Sequence, residues 1–301
     1  MKKNTNILLK FVFKMNGFIR FVHRFIIKYS KDNRPSSYPY ISGDSFRKLA
    51  DHIYTTDNNF VSENVKYRDV VFVETDKVKF FFSEVHHKIN NKYILITHNS
   101  DLSVDGELSE LADKKIIKWF GQNVAVKHTK IVPIPIGLEN LYYYDNGIIN
   151  YFNFFKNKII NKKNKILFGF SVNTNSSERI PAYDFFKNSM ISEEIDFKLN
   201  SFNYLKLLNG YKFVASPPGN GLDCHRTWEA MYLKVVPIVK RSVAMEYFFS
   251  IGLPLWIVDS WDEIKGFDEK SLENKYNDLK KRFNSSVLYM DYWANQIKGA
   301  C

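Results

Sequence analysis

Residues 216–239 read Ser-Pro-Pro-Gly-Asn-Gly-Leu-Asp-Cys-His-Arg-Thr-Trp-Glu-Ala-Met-Tyr-Leu-Lys-Val-Val-Pro-Ile-Val. The apolar stretch at 211–216 predicts a strand, and the prolines and glycines after it predict a loop. A helix is expected at 223–233 with Asp223 as its N-cap, because a short acidic side chain favours that position. A second strand is expected at 235–240. This strand–loop–helix–strand order is typical of a parallel α/β sheet.

The same alternation extends over most of the chain in both directions. Before this unit, the pattern predicts strands at 70–73, 93–97, 130–137, 166–172 and 197–199. Helical spacing predicts helices at 110–119, 182–188 and 202–209, and a long one at 271–297. Residues 157–164, rich in Lys and Asn, are the linker candidate between two such series.

Two successive series predict two parallel-sheet α/β domains, while one large sheet is the competing layout. We expect a basic segment at 1–31, a first Rossmann-like domain at 32–155 and a second at 156–270. The helix within 271–301 is expected to pack back on the first domain.

Residues 7–28 form an apolar segment that is interrupted by regularly spaced positive charges. The charges are Lys10, Lys14, Arg20, Arg24 and Lys28, and the apolar side is formed by Leu8, Phe11, Met15, Phe18, Val22 and Phe25. No uninterrupted run of about 18 apolar residues remains for a membrane span, and no small-residue cleavage site follows. The pattern predicts a cationic amphipathic helix. Two interpretations are open: it binds an anionic membrane surface, or it packs on the protein as an ordinary first helix.

Composition narrows the function classes without choosing one. The chain has 301 residues, 45% of them hydrophobic, which excludes disorder, collagen and coiled coil for the whole chain. Two cysteines exclude a disulfide framework. A net charge of +11 favours an acidic partner: nucleic acid, an anionic membrane or a phosphorylated small molecule.

The loop after the strand at 211–216 has the residues of a phosphate site. Gly219 and Gly221 allow a ligand to approach the backbone closely, and a helix starts at the carboxyl end of a parallel strand. Arg226 can form two charge-assisted hydrogen bonds to a diphosphate, and His225 lies beside it in the first turn. Glu229 lies three residues further on the same face, where a carboxylate can accept from both ribose hydroxyls. An ordinary strand–loop–helix unit with surface charges is the plain alternative.

The motif Pro-Pro-Gly-Asn-Gly-x-Asp-Cys-His-Arg-Thr-Trp-Glu-Ala, followed by Val-Val-Pro-Ile-Val, resembles the nucleotide-sugar-binding part of exostosin-like glycosyltransferases. It most resembles their bacterial members in surface-polysaccharide synthesis. Weaker matches lie at 39–47, 132–140 and 254–261, so the resemblance covers most of residues 38–265. It implies a GT-B architecture, with the donor on the second domain and the reaction in the cleft.

Carried over by residue, the resemblance implies that Arg226 holds the donor diphosphate and Glu229 the donor ribose. The full donor-binding set is Gly219, Asn220, Gly221, Asp223, His225, Arg226, Glu229 and Arg179. Relatives often have Gly where this chain has Lys234, so the chain departs from the family pattern at this turn.

Glycosyl transfer needs a stabilised leaving group and, for inversion, a base. No Asp-x-Asp occurs in the chain, so we predict a reaction without metal or other cofactor, with Arg226, the helix N-terminus and Arg179 stabilising the diphosphate. Asp101 and His98 follow a predicted strand and are the candidate bases, although both could instead cap the next turn. His86 and His87 lack a spaced third metal ligand.

The sequence thus predicts an inverting glycosyltransferase that uses a nucleotide-sugar donor and a glycan or lipid-linked saccharide acceptor. Its expected location is the cytoplasmic face of a bacterial inner membrane. The alternatives are a basic nucleic-acid-binding protein, whose usual motifs are missing from the sequence, and an inactive nucleotide-sugar-binding scaffold. A nucleophilic Cys224 at the helix start is a further option.

Overall fold

The computed structural model describes residues 33–55, 60–158, 160–195 and 199–300, with helical positions at 18, 21–23, 25 and 26. Most of the predicted N-terminal amphipathic segment, including its basic residues, therefore lies outside the described residues. The described apolar side chains of that segment are exposed: Phe18, Phe21, Val22, Phe25 and Ile26. The His23 ring stacks on Tyr144 with the centroids 3.8 Å apart. Among the described residues, no helix has the length and apolar character needed to cross a bilayer.

The first of two parallel sheets has the strand order β1-β2-β3-β4-β5. Its strands are β1 His52–Tyr54, β2 Val70–Glu74, β3 Tyr93–His98, β4 Ile116–Gly121 and β5 Ile131–Pro133. Its helices are α1 Gly43–Arg47, α2 Val78–Glu84 and α3 Gly106–Ser109. The central strand β3 is buried along its whole length, as expected for a parallel strand that is covered on both faces.

The second parallel sheet has the order β10-β9-β8-β6-β7. Its strands are β6 Lys163–Phe168, β7 Ser192–Glu194, β8 Tyr211–Ala215, β9 Val236–Lys240 and β10 Trp256–Val258. The remaining α-helices are α4 Ile149–Lys156, α5 Ser176–Lys187, α6 Ser201–Asn209, α7 His225–Tyr232, α8 Val243–Ser250, α9 Glu269–Lys281 and α10 Met290–Lys298. Two five-stranded parallel sheets within the described residues confirm the predicted α/β, GT-B type of architecture and exclude a single large sheet.

The C-terminal helix α10 packs between α1, which belongs with the first sheet, and α8, which belongs with the second. Trp293 is fully buried, and its ring meets Phe46 edge-on at 6.3 Å and Phe248 at the same distance. The N–H of Met290 donates to the carbonyl of Pro39 at 3.0 Å. Trp293 and Met290 belong to a large buried cluster that also contains Phe72 of the first sheet and Trp228 of α7. The chain thus crosses back at its C-terminal end, as predicted.

Three sequence predictions of helix and strand positions were wrong. Residues 110–119 do not form a helix: Ile116–Gly121 is a strand paired on both sides, and tertiary pairing of its β-branched and aromatic residues outweighs the helical spacing. The stretch 271–297 holds two helices, because α9 ends and the Asn284 side chain caps a short 3-10 turn between them. The strand expected at 197–199 is found earlier, as β7, and residues 196–198 lie outside the described residues.

Candidate active site

Helix α7 begins at the carboxyl end of β8, after the Pro/Gly loop predicted for that place. Its N-cap is Cys224, without a side-chain cap bond, so the prediction that Asp223 caps the helix was wrong. Asp223 instead accepts hydrogen bonds from the Ile136 N–H and from the Trp228 indole, each at 2.8 Å. Burial raises the pKa of Asp223 to about 7. This side chain therefore ties the loop of the second sheet to the segment that follows β5.

Further hydrogen bonds fix the same loop against the first sheet. Asn123 Oδ1 accepts from the Asp223 N–H at 2.9 Å, and the His225 ring Nδ1 lies 2.8 Å from the Gly137 carbonyl. Gly221 has no room for a side chain, since a Cβ there would lie 2.5 Å from Asn123 Nδ2. Asn123 was missed by the sequence reasoning, because no motif marks a residue in a loop of the other sheet.

A cavity of about 450 Å³ opens beside the loop and the start of α7, and it contains two converging arginines. Arg226 Nε is buried and has no hydrogen-bond partner among the described residues. Arg179 Nε donates to the Pro218 carbonyl at 2.8 Å, and its Nη1 donates to the Ser171 carbonyl at 3.0 Å. Burial, and after it the Arg226 charge, lowers the pKa of Arg179. Arg179 and Arg226 are thus adjacent cations, and Arg226 also acts on the nearby Glu229 carboxyl group. Two converging guanidinium groups favour a bound anion.

Both guanidinium carbons lie 5.8 Å from the centroid of the Phe170 ring, which forms part of the cavity wall. Gly219 makes room for one of them, because a Cβ at this position would lie 2.8 Å from Arg179 Nη2. The glycine predicted to let a phosphate approach the backbone thus also positions an arginine. Phe170, which orients both arginines by cation–π contact, was not identified from the sequence.

Glu229 lies on α7 in the same cavity and is 6% exposed. Burial raises its pKa to about 7, and the nearby charge of Arg226 opposes that shift. Tyr204 of α6 lines the cavity too, and its buried hydroxyl interacts with the side chains of Arg226 and Glu229. Arg226, Glu229 and Tyr204 thus offer a donor, an acceptor and a hydroxyl toward one space. Tyr204 was missed because an aromatic residue on a predicted helix gives no sign of its function.

Cys224 lies at the start of the helix as predicted, but its environment does not activate the thiol. Burial is the largest cause that raises the pKa of Cys224, and Asp223 adds to it. Its Sγ lies 3.5 Å from the Pro217 carbonyl, in the geometry of a thiol donor. A protonated thiol is a poor nucleophile, so the structure does not favour covalent catalysis by Cys224.

The two candidate bases occupy different environments at the end of β3. Asp101 is exposed and borders both the first cavity and a second one. His98 is buried, with Nε2 at 3.0 Å from the Pro135 carbonyl and Nδ1 accepting from the Asn99 N–H at 2.7 Å. Burial lowers the pKa of His98 to about 4. Since both ring nitrogens are occupied, His98 has no site for a substrate proton, whereas Asp101 does.

The second cavity, of about 260 Å³, shares Asp101, Ile136 and His225 with the first. Polar groups at the carboxyl ends of β2 and β3 surround it, among them Glu74 and Asn99. Burial raises the pKa of Glu74. Glu74 was not singled out from the sequence because only the parallel pairing of β2 with β3, which places Glu74 opposite His98, brings it to this edge.

No group of three or more His, Cys, Asp or Glu side chains within the described ranges is arranged to hold a metal ion. His86, which precedes His87 in the sequence, contacts Tyr93 Oη at 2.7 Å and Asp113 Oδ2 at 3.1 Å. These contacts give it a role in packing rather than in ligation.

Of three kinds of comparison with known proteins, the one with solved structures found similar chains. No family model matches the chain, and no curated protein matches it. Among solved structures, the chain is similar to an α,α-trehalose-phosphate synthase (UDP-forming) from Burkholderia xenovorans in complex with glucose-6-phosphate. The identity is 10%, the match covers 77% of this chain and 74% of that one, and the TM-score is 0.41. A likeness this distant does not bear on the function of the present chain.

Proposed function

We propose that the protein is a glycosyltransferase that moves a sugar from a nucleotide-sugar donor to a glycan or lipid-linked acceptor. The observation that carries this proposal is the orphaned Arg226 Nε, buried in a cavity with Arg179 and at the N-terminus of α7. A buried guanidinium N–H without a partner is costly, and a bound diphosphate supplies the missing acceptor. The helix N-terminus adds favourable interaction with the same anion.

The remaining groups of the cavity fit the other parts of a nucleotide sugar. Glu229 is placed to accept from the ribose hydroxyls, one helical turn from Arg226. Phe170 offers an aromatic wall. Asn220 and Gly221 line the cavity at the side that faces Asp101, toward the second cavity.

The proposed reaction is a direct displacement with inversion. The acceptor hydroxyl gives its proton to the Asp101 carboxylate as its oxygen bonds to the anomeric carbon of the donor. The bond from that carbon to the diphosphate breaks, and its electron pair leaves with the nucleoside diphosphate. Arg226, Arg179 and the N–H groups at the start of α7 stabilise the charge that develops on the leaving group. No metal is required in this scheme.

We place the protein in bacterial surface-polysaccharide synthesis, as a peripheral protein on the cytoplasmic face of the inner membrane. The support is the resemblance of residues 217–239 to the bacterial exostosin-like members, together with the amphipathic N-terminal segment. Exposed Phe18, Phe21 and Phe25 in a segment rich in Lys and Arg suit an anionic lipid surface. Deleting residues 1–30 and measuring sedimentation with anionic vesicles tests this location: unchanged sedimentation would refute it.

A screen of UDP-, GDP- and CMP-sugars for thermal stabilisation tests the donor site. A ligand at 100 times its Kd adds about 2.7 kcal/mol to the free energy of unfolding. With the stabilising donor, Arg226→Ala and Glu229→Ala are expected to abolish transfer while the circular dichroism spectrum is retained. Near-wild-type turnover in either variant would contradict the assignment.

The two alternatives give different results in the same series. A nucleic-acid-binding protein would give a salt-sensitive gel shift on generic DNA and no stabilisation by any donor. An inactive scaffold would be stabilised by a donor but would neither transfer nor hydrolyse it. The buried, orphaned Arg226 Nε inside a cavity favours a small anion over a nucleic-acid backbone, which is bound at open surfaces.

A further inference from the structure

The second cavity contains a buried acceptor that no described residue satisfies. Gln122 is 2% exposed, and its Oε1 has no hydrogen-bond partner among the described residues. Gln122 follows β4 and lines the cavity together with Glu74 and Asn99. A buried amide oxygen without a donor is unfavourable, and a hydrogen bond from a ligand hydroxyl would remove that cost.

The amides around this cavity are held in place by one another. Asn99 has a positive φ of 60°, and its Nδ2 donates to Asp44 Oδ1 at 3.3 Å. Its Oδ1 accepts from Asn140 Nδ2 at 2.9 Å, and Asn140 Oδ1 accepts from the Asp44 N–H at 2.8 Å. Gly43 makes room for Asn99, because a Cβ would lie 1.7 Å from Asn99 Oδ1. The polar network of Asp44, Asn99 and Asn140 thus holds the Asn99 backbone in a strained conformation. Such locally strained residues, held by paired polar groups, are typical of binding sites.

The second cavity differs from the first in its arginines: two adjacent ones line the first cavity, and one lines the second. The carboxylates of Glu74 and Asp101 line it, whereas its guanidinium, Arg34, is paired with the buried Asp44 at 2.9 Å. Arg34 also acts on Glu74 within the lining, and Asp76, Lys77 and Arg47 act on it from outside. The first cavity, with Arg179 and Arg226, suits an anion, and the second one suits a ligand with hydroxyl donors and no negative charge.

We propose that the second cavity binds the terminal sugar of the acceptor, and that Glu74 and Gln122 select a neutral, hydroxyl-rich sugar over an acidic one. This inference rests on the proposed glycosyltransferase function and names the acceptor class. The volume of about 260 Å³ lies below the roughly 300–1,000 Å³ of pockets for drug-sized ligands, which fits one sugar ring.

Hydroxyl groups of such a sugar donate to Gln122 Oε1 and to the Glu74 carboxylate. A uronic acid or a phosphorylated sugar would instead bring an anion toward Glu74 and Asp101, and like-charge repulsion would exclude it. Because Asp101 and His225 border both cavities, a sugar in the second one presents a hydroxyl at the edge of the first. The acceptor is thereby placed next to the candidate base and the donor.

Saturation-transfer NMR with the full-length protein and UDP tests the inference without requiring turnover. The probes are the methyl glycosides of galactose, N-acetylglucosamine and glucuronic acid. We expect signal from one or both neutral glycosides and at least tenfold weaker binding of the glucuronide. In Glu74→Gln the glucuronide should approach the neutral glycosides in affinity. Asp184→Asn, which removes a carboxylate from a different cavity, is the matched control and should change neither.

The Gln122→Leu variant separates a binding role from a structural one. Leu removes the buried oxygen at similar volume, so the melting temperature should stay unchanged or rise, while affinity for the neutral glycoside falls about tenfold. Equal binding of the glucuronide to the wild type, no binding of either neutral glycoside, or unchanged neutral binding in Gln122→Leu would overturn the proposal. If a neutral glycoside binds but no nucleotide sugar raises the melting temperature, the proposed function is refuted instead. The two outcomes are distinguishable because the glycoside test addresses the second cavity and the donor screen addresses the first.

Discussion

Asn220 Nδ2 donates a hydrogen bond to Asp101 Oδ2 at 3.1 Å, across the two sheets of the molecule. Asn220 belongs to the loop that precedes α7, and Asp101 follows β3. The contact orients the Asp101 carboxylate at the border of both cavities. A residue predicted to bind the donor therefore positions the residue proposed as the base, and each cavity depends on the other for its geometry.

Asp101→Asn is expected to lower kcat by about 10²–10⁴, the range for loss of a general base, while donor affinity changes little. The amide Oδ1 can still accept from Asn220, so the loop keeps its position. The measurement is steady-state transfer together with nucleotide titration. Asp105→Asn is the control, because Asp105 lies nearby and caps α3 through a contact that Asn can replace. A parallel loss of donor affinity in Asp101→Asn would assign Asp101 to donor binding.

Arg226→Ala should weaken binding of a nucleoside diphosphate by about 10- to 100-fold, the equivalent of charge-assisted hydrogen bonds worth about 1.5–3 kcal/mol. Arg226→Lys should recover only part of this, because a lysine cannot make the two parallel bonds of a guanidinium. Calorimetric titration measures both. The control Arg241→Ala removes an exposed arginine that pairs with Asp259 and Glu246, and it should leave the affinity unchanged.

The raised pKa of Glu229 makes nucleotide binding depend on pH in a defined direction. Its pKa moves from 4.5 to about 7 in the folded protein, so the carboxyl group is mostly protonated at pH 6 and ionised at pH 8. Only the ionised form accepts from both ribose hydroxyls with both oxygens. UDP affinity of the wild type should therefore rise from pH 6 to pH 8 relative to Glu229→Gln, measured in the same buffers. Parallel pH profiles would contradict the ribose contact.

The same shift has an effect of opposite sign on stability. Because the folded protein holds the Glu229 proton more tightly than the unfolded chain, this contribution is complete below about pH 4.5 and is lost as the pH rises through 7. Between pH 5 and pH 7.5, the free energy of unfolding should fall more steeply in the wild type than in Glu229→Gln. Asp223, whose pKa is also about 7, contributes equally to both proteins.

The residues that line the first cavity could be predicted from the sequence more fully than those that line the second. The residues from Gly219 to Glu229 lie within one strand–loop–helix unit, so their spacing along the chain also fixes their spacing in space. Asn123, Glu74 and Gln122 reach the site through the pairing of separate strands, which leaves no local pattern. Asp223 shows that a local pattern can also mislead. Its position predicted a helix cap, but its carboxyl group accepts from the Ile136 N–H of a distant segment instead of from the helix.

Gly43→Ala tests the polar network of the second cavity. The added Cβ would lie 1.7 Å from Asn99 Oδ1 and 2.6 Å from His98 Nδ1, so Asn99 must move and its bonds to Asp44 and Asn140 must break. We expect destabilisation by about 1–3 kcal/mol, since buried polar groups lose partners, together with reduced transfer. Gly106→Ala is the control, because no atom outside its immediate neighbours lies within 4 Å of a Cβ there. Equal unfolding midpoints of the two variants would show that the network adapts.

Lys234→Gly should make the protein more stable. Lys234 has a φ of 56°, in the left-handed region, where a residue with a Cβ is strained by about 1–2 kcal/mol and glycine is not. The position lies two residues before β9, and its carbonyl accepts from Tyr276 Oη at 2.9 Å, a bond that glycine retains. Urea unfolding should therefore show a gain of about 1 kcal/mol after the greater chain entropy of unfolded glycine is offset. Lys206→Gly, an exposed position inside α6, should instead lose about 1 kcal/mol, and a loss at both positions would mean that the left-handed turn at Lys234 is not strained.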